Sequence, residues 1–262
     1  MARPAIALAL LLVTVLGPTA AQAGVPADPH NSPMWEYNLQ KYLGDDLTVV
    51  HDDRVQVQAP PFAEDSAQVP LTVDLAAFPG RIQRIVAWVD LNPIPHLFTY
   101  QPGNREARLI ALNFRVQQAT TVRAAVLDES GVWHVGSAYV DAAGGGCTAP
   151  SMTAANPDWE KNFGTIRGGA FSRLNATRLK ANVMHPMDSG MVGNIPAFHI
   201  QQVELRAEGS AADAKPVLAM SLSESAAENP MFVFELVGES SDLILWMRDN
   251  NGNVFERRFG EG

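Results

Sequence analysis

The sequence predicts an all-β fold made of two β-sandwich domains of roughly a hundred residues each. Short strand-like segments occupy residues 47–140 and resume at residue 178. Turn sequences, rather than long helical patterns, separate these segments, which is typical of sandwiches and barrels. Between the two regions, residues 141–177 lose their periodicity and are rich in small residues, glycine and proline. That composition is typical of a linker.

The N-terminus has the pattern of a secretory signal peptide. Arg3 precedes an uncharged apolar run over residues 6–16, and residues 21–23 (Ala-Gln-Ala) form a small-x-small cleavage site. The apolar run is too short to span a bilayer comfortably. We therefore expect residues 1–23 to be removed and the rest of the chain to be exported to the bacterial periplasm, without membrane insertion.

A short helix is predicted after the signal, over residues 33–44. Four large apolar or aromatic side chains fall at helical spacing, and Gly44 is a plausible C-terminal stop. We interpret this stripe, which consists of Trp35, Leu39, Tyr42 and Leu43, as a packing face.

The first sandwich is predicted from alternating or branched apolar runs that are separated by turns. The clearest run is Ile110, Leu112, Phe114 and Val116, which has the period of two expected for a half-buried strand. Further strands are predicted over residues 69–75, 82–90, 122–127 and 132–140, the last two joined by a turn at 128–131.

The second sandwich shows the same kind of pattern. Phe232, Phe234 and Leu236 are predicted to line one face of a strand. The Asn251-Gly252 pair is a strong hairpin signal near the C-terminus. Strands are predicted over residues 178–184, 198–206, 217–222, 231–237, 243–247 and 254–259.

Charge excludes two classes of partner. The formal net charge is −9, and no cluster of Lys or Arg occurs along the chain. Nucleic acids and anionic membrane surfaces both require a basic contact surface. We therefore expect neither as a partner and attribute the acidity to solubility.

The most specific feature is a lone cysteine, Cys147, which follows Gly144, Gly145 and Gly146. No intramolecular disulfide is possible, because the chain has one cysteine. Free cysteines are usually buried, but the small neighbours here cannot build a hydrophobic shell. The sequence therefore predicts an accessible thiol on a flexible glycine arm. No Lys, Arg or His lies within five residues, which favours a passive attachment point over a catalytic nucleophile.

Two other kinds of chemistry have to be weighed against this one. No recognisable enzyme motif is present, although His134 or His185 could formally pair with the cysteine as in a Cys/His hydrolase. A copper site is the second alternative, since thioether and imidazole ligands suit copper. Its candidate ligands are Met184, His185, Met187 and Met191, near His199. Adaptable core packing by the methionines is the stronger interpretation, and we predict no metal and no cofactor.

The chain resembles two proteins of bacterial sulfur oxidation in succession. The first half is similar to SoxY in "VPLTVDL" (69–75), "IVAWVDLNPIPHLFTY" (85–100), "RLIALNFRV" (108–116), "TTVRAAVLDESGVWHV" (120–135) and the final "GGGC". The second half is similar to SoxZ in "LKANVMHPMDSG" (179–190), "IPAFHIQQVEL" (195–205), "SLSESAAENPMFVFEL" (221–236) and "LWMRDNNGNVFE" (245–256). The order resembles that of the fused SoxYZ-like carriers associated with quinoprotein dehydrogenases.

This resemblance implies two immunoglobulin-like sandwiches packed against each other, and a carrier rather than an enzyme. The implied division is a SoxY-like domain over 33–143, a cysteine-bearing arm and linker over 144–177, and a SoxZ-like domain over 178–262. In the family, the cysteine of a Gly-Gly-Cys-Gly-Gly arm holds sulfur intermediates while partner enzymes process them. By position, that cysteine is Cys147. The implied partners are periplasmic redox enzymes, either of the Sox type or a quinoprotein dehydrogenase.

The chain departs from the family pattern after the cysteine. Thr148 and Ala149 replace the last two glycines, and the chain continues where the SoxY arm would end. A loop anchored at both ends extends less far than a free tail. A docking module for a secreted dehydrogenase, with an incidental thiol, is therefore kept as an alternative function, and a copper-binding protein as a third.

Overall fold

The computed structural model describes residues 25–45, 47–152, 158–209, 211, 214–239 and 242–260. The predicted signal peptide, residues 1–23, lies outside these described residues. The described chain is mainly β-structure arranged in two sheets, with a short N-terminal helix, so the predicted fold class is confirmed. No helix within the described residues is long and apolar enough to cross a lipid bilayer.

The elements follow one another in a simple order. Helix α1 (Trp35–Leu43) precedes nine strands of the first half: β1 (Thr48–His51), β2 (Gln56–Gln58), β3 (Phe62–Ala63), β4 (Val69–Asp74), β5 (Arg84–Val89), β6 (His96–Pro102), β7 (Ala107–Phe114), β8 (Thr120–Leu127) and β9 (Val132–Ala142). A 3-10 turn (Gly146–Thr148) and a four-residue helix, α2 (Trp159–Asn162), come next. The second half contains β10 (Ile166–Arg173), β11 (Ala176–Val183), β12 (Ile200–Ala207), β13 (Leu218–Leu222), β14 (Met231–Val237), β15 (Leu243–Asp249) and β16 (Val254–Phe259).

Both sheets run across the two halves of the chain. The larger sheet has the order β1-β9-β8-β5-β6-β13-β12-β15-β16, with β3 also paired to β9, and the smaller has the order β10-β11-β14-β7-β4-β2. The halves meet where β6 pairs antiparallel with β13 and where β7 pairs antiparallel with β14. A single hydrophobic core lies between the sheets and includes side chains from both halves, among them Phe98, Leu112, Phe234 and Leu245.

Strands with clear apolar alternation lie where the sequence predicts them. Strand β14 begins and ends at the predicted residues, and Phe232, Phe234 and Leu236 are buried on one face. The predicted helix is also present, with Trp35 and Leu39 buried against Trp88 and Trp133 on the outer face of the larger sheet. Strand β10 was missed because it is an edge strand with mostly exposed side chains. Strand β10 and helix α2 therefore place regular secondary structure within residues 144–177, which were predicted to be an arm and linker.

A buried ion network attaches the N-terminal segment to this outer face. Arg123 Nη2 lies 2.7 Å from Asp28 Oδ2 and 2.8 Å from Asp90 Oδ2. The Trp88 indole donates a hydrogen bond of 2.8 Å to the other oxygen of Asp90. The Arg123 guanidinium also stacks 4.4 Å from the Trp35 ring centroid, so one cation connects the segment, the helix and the sheet.

Candidate functional site

The lone cysteine lies in the 3-10 turn that follows β9, at the junction of the two halves. Its side chain and backbone are buried, with 4% of the residue exposed. The expectation of an accessible thiol is therefore wrong for this conformation. The small neighbours of Cys147 in the sequence do not enclose it; its surroundings come from segments that are distant along the chain, such as those of Arg115 and Ser189.

The three glycines are fitted to this packed conformation. Gly144 and Gly145 have φ angles of +97° and +83°, which favour glycine. A Cβ at Gly146 would lie 1.9 Å from the main-chain oxygen of Ser66 and 2.7 Å from that of Val116. The glycines of the predicted flexible arm therefore have a different role here: Gly144 and Gly146 allow close packing against the first sandwich, and Gly145 allows the left-handed backbone angle between them.

The first half holds the residues that precede the thiol. Gly144 N donates to Ser66 Oγ at 3.3 Å, Gly145 N to Gln117 O at 3.1 Å, and Gly146 N to Val116 O at 3.0 Å. These bonds join the segment to the loop after β7 and to the loop after β3.

The second half holds the main chain of the cysteine and the residues that follow it. Ser189 Oγ donates a hydrogen bond of 2.8 Å to the carbonyl of Cys147. Glu228 Oε2 accepts hydrogen bonds from Ser151 Oγ at 2.7 Å and from Met152 N at 2.8 Å. The two halves therefore form one cradle, which encloses the cysteine from both sides.

Arg115 is the buried cation of this cradle, with 2% of the residue exposed. Its Nη1 donates to Ala149 O at 3.3 Å and to Gly146 O at 3.5 Å, on either side of the cysteine. Its Nη2 donates to Met187 O at 3.0 Å and to Pro186 O at 3.5 Å in the second half. With the bond from Nε to Ala226 O at 3.4 Å, its hydrogen-bond acceptors are neutral main-chain carbonyls.

Burial dominates the electrostatics of the thiol. It raises the pKa of Cys147 to about 11, although the positive charge of Arg115 acts in the opposite direction. Burial likewise raises the pKa of the Asp188 carboxyl, and the positive charge of Arg115 opposes that shift. The enclosed thiol is therefore protonated near neutral pH and is a poor nucleophile, because the thiolate is the reactive form.

Neither histidine proposed as a base for the cysteine is available for that role. His134 bonds to Asp52 at 2.8 Å through Nδ1 and to Asp128 at 3.2 Å through Nε2. His185 is buried, and its Nδ1 accepts a hydrogen bond from Met187 N while Nε2 lies 3.6 Å from Asp249 Oδ2. The structure therefore does not bring the Cys/His pair together.

The candidate copper ligands have structural contacts of their own. Met187 is buried, and its sulfur accepts a hydrogen bond of 3.3 Å from Ile200 N. Met184 and Met191 are half-buried. Within the described ranges, no three His, Cys, Asp or Glu side chains are grouped closely enough to hold a metal ion.

Sequence reasoning missed the other residues of the cradle. Arg115 alternates with buried positions of β7, so the period of two predicts an outward side chain. It is buried because it follows the last residue of the strand and faces the cysteine segment. Ser189 and Glu228 lie 42 and 81 residues from Cys147 along the chain, and no local pattern connects them to it.

Comparisons with known proteins agree with this division of the cradle. Residues 39–147 match the family described as sulfur oxidation protein SoxY, and the match ends at the cysteine. Residues 170–259 match the family described as sulphur oxidation protein SoxZ. A solved structure, the sulfur carrier protein SoxY from Chlorobium limicola f thiosulfatophilum, is similar with 20% identity and a TM-score of 0.35, over 42% of this chain and 96% of that one. No curated protein matches the chain.

Proposed function

Since residues 39–147 belong to the SoxY family and residues 170–259 to the SoxZ family, in the manner of a fused SoxYZ-like protein, we propose that this chain is a covalent carrier. It holds a sulfur intermediate on Cys147 and presents it to partner enzymes without catalysing the chemistry itself. The observation that carries this proposal is the position of the chain's single cysteine, at the end of the SoxY match and between the two halves.

Loading forms one sulfur–sulfur bond. The Cys147 sulfur joins the terminal sulfur of a sulfur-containing anion, and the thiol proton goes to solvent. Two electrons leave in this oxidation, and the redox centre of a partner enzyme accepts them. The partner class is therefore a redox enzyme, either of the Sox type or a quinoprotein dehydrogenase, in the periplasm to which the predicted signal peptide would direct the chain.

Loading also requires the cradle to open. The enclosed thiol is protonated, and a partner cannot contact a sulfur in a residue that is 4% exposed. The segment is held by main-chain and side-chain hydrogen bonds, which water can replace, and local opening of such segments is common. Once exposed, the thiol regains a pKa of about 8.5, so that its thiolate fraction rises at neutral pH.

The SoxZ half contributes part of the closed cradle, through Ser189 and Glu228. In this proposal the two domains pair within one chain, and the SoxZ half both encloses the cysteine and offers a surface for the partner. The continuous strand pairs β6–β13 and β7–β14 support this arrangement.

Intact-mass analysis tests the carrier function. Protein isolated from the periplasm of cells that oxidise sulfur compounds should contain adducts on Cys147 that a phosphine reductant removes. A Cys147→Ser variant is the matched control and should have the unmodified mass. A thiol that stays unmodified in the presence of sulfur compounds and redox partners would contradict the proposal.

The burial of the thiol favours one second candidate, a docking module in which the cysteine is incidental. Under that alternative, Cys147→Ser would leave both partner binding and growth on the relevant substrate unchanged. Under the carrier proposal, the same substitution leaves binding intact and abolishes turnover of the cargo.

A further inference from the structure

We propose that His185 is a positioning residue that keeps Cys147 enclosed, because its imidazole fixes residues 186–189 of the second half against the cysteine segment. These four residues, here called the wall segment, come shortly after β11 and are all buried. The inference rests on the proposed function only in that an enclosed thiol has to be exposed for loading. It goes further, because it assigns control of that exposure to one side chain of the SoxZ half.

The wall segment contacts the cysteine segment both directly and through a side chain. Ser189 Oγ donates a hydrogen bond of 2.8 Å to the Cys147 carbonyl. The carbonyl of Met187 accepts a bond of 3.0 Å from Arg115 Nη2, and Nη1 of the same guanidinium donates to Ala149 O at 3.3 Å. A displacement of the wall segment would therefore loosen the main chain at the cysteine and after it.

Met187 is the residue at which the wall segment has to be held. Its φ angle is +50°, in the left-handed region, which is uncommon for a residue other than glycine. Such a conformation costs free energy and persists only where surrounding contacts hold it. The Met187 N–H donates a hydrogen bond of 3.1 Å to His185 Nδ1, and the Met187 sulfur accepts one of 3.3 Å from Ile200 N. The first bond fixes the main chain at the strained residue itself.

The imidazole can accept this bond in one form only. Because Nδ1 is the acceptor, the proton of the neutral ring is on Nε2. Nε2 is buried without a hydrogen-bond partner among the described residues, and Asp249 Oδ2 lies 3.6 Å away. Burial lowers the pKa of His185, although the charge of Asp249 acts in the opposite direction, so the ring is neutral at pH 7. A ring that leaves Nε2–H unpaired while Nδ1 is bonded indicates that its orientation serves the wall segment.

The core of the second half sets the position of the ring. The main chain of His185 is bonded on both sides to Asn229, which accepts from His185 N through Oδ1 at 3.1 Å and donates to His185 O through its own N at 2.9 Å. The imidazole centroid lies 4.6 Å from that of Phe198 and 5.4 Å from that of Phe163. His185 is therefore a fixed point to which the wall segment is attached.

A pair of substitutions of similar shape separates the acceptor from the packing of the ring. Asn and Leu branch at the same atom, so His185→Asn and His185→Leu vacate a similar part of the ring volume. Only the Asn side chain offers an acceptor oxygen near the position of Nδ1. In the full chain, the rate of alkylation of Cys147 by iodoacetamide at pH 8 is followed by intact mass. Urea denaturation of each variant gives its global stability, so that local opening is compared at a known unfolding free energy.

We expect His185→Leu to raise the alkylation rate by about 5- to 150-fold, because it leaves the Met187 N–H buried without its acceptor. His185→Asn should react about fivefold more slowly than His185→Leu, or slower still. A role in packing alone predicts the opposite order, since a buried Leu costs less than a buried Asn. His134→Leu is the control, because that histidine bonds to Asp52 and Asp128 in the first half, and its alkylation rate should equal that of the wild type.

Hydrogen exchange of the Met187 amide in the wild type, measured by NMR, gives a second test that needs no substitution. If one local opening exposes both groups, the protection of this amide and that of the thiol, each relative to the unfolded chain, should agree within about fivefold. A larger disagreement would show that the cysteine and the wall segment open separately, and it would overturn the inference.

Equal alkylation rates in His185→Leu and His185→Asn, or a faster rate in His185→Asn, would overturn it as well. Neither measurement involves an adduct formed in cells, so the inference and the carrier function fail independently. Control of exposure by His185 would stand even if Cys147 were never loaded. Natural loading would likewise stand if the two variants reacted alike.

Discussion

The hydroxyl of Ser189 lies 2.8 Å from the carbonyl oxygen of Cys147 and donates a hydrogen bond to it. This bond connects the SoxZ half directly to the residue that the SoxY half contributes. Because Ser189 and the cysteine are both buried, the bond is shielded from water, and it stabilises the enclosed state of the thiol.

Ser189→Ala should therefore make the thiol more accessible. The substitution leaves the Cys147 carbonyl without this donor, and one hydrogen bond is worth about 1 kcal/mol. We expect the rate of alkylation by iodoacetamide at pH 8 to rise about fivefold. Ser221→Ala, on an exposed position of β13, is the control and should react like the wild type. An unchanged rate in Ser189→Ala would mean that this bond does not hold the segment closed.

Gly146→Ala should open the segment more completely. The new Cβ would lie 1.9 Å from the Ser66 oxygen, a main-chain atom that cannot move aside without displacing its neighbours. We expect alkylation to rise by about 5- to 150-fold, since a clash of this kind costs on the order of 1–3 kcal/mol. Gly193→Ala is the matched control, because a Cβ there meets no atom within 4 Å. A Gly146→Ala protein with wild-type reactivity would show that closure does not depend on this close approach.

The thiol should give the folded protein a specific response to alkaline pH. Burial raises the pKa of Cys147 to about 11, above the unfolded value of about 8.5, with Arg115 opposing the shift. The neutral thiol is favoured in the folded state, so its contribution to stability is complete below pH 8.5 and is lost as the pH rises toward 11.

This response is measured by urea denaturation between pH 8 and 11. The wild type should lose up to about 3 kcal/mol more unfolding free energy over that range than Cys147→Ser, which has no thiol to titrate. Parallel pH curves for the two proteins would show that the thiol is not enclosed in solution.

The buried ion network should affect stability without affecting the carrier site. Asp90→Asn removes the charge that Arg123 contacts inside the fold, and breaking a buried ion pair typically costs about 3–5 kcal/mol. Chemical denaturation should detect this loss, while alkylation of Cys147 under native conditions stays within twofold of the wild type. Asp53→Asn, on an exposed carboxylate, is the control and should change neither quantity. A large increase in thiol reactivity in Asp90→Asn would instead connect the network to the cradle.

Local patterns were sufficient to predict most of the fold. The alternation in β7 and β14, and the helical stripe of α1, each define a buried face from neighbouring residues alone. Strand β10 was missed because an exposed edge strand needs no apolar alternation. The pairing of β6 with β13 was not predicted either, since it joins segments more than a hundred residues apart.

The site was predicted less completely than the fold. The position of the cysteine and the three glycines before it were evident from the sequence, but the enclosure of the thiol was not. Enclosure depends on Ser66 and Arg115 of the first half and on Ser189 of the second, which are distant from Cys147 along the chain and lie near it only in the folded structure. The glycines suggested freedom of movement, whereas two of them have left-handed backbone angles and the third allows close packing.

The two strand pairs that cross the junction also explain what a fused chain gains over two separate ones. In a two-chain complex, β6–β13 and β7–β14 would have to form by encounter between molecules, and their population would depend on subunit concentration. A covalent connection replaces that dependence with a fixed effective concentration, which is on the order of millimolar for short linkers. The assembled state of this protein should therefore persist on dilution, even where a dissociable pair of similar affinity would separate.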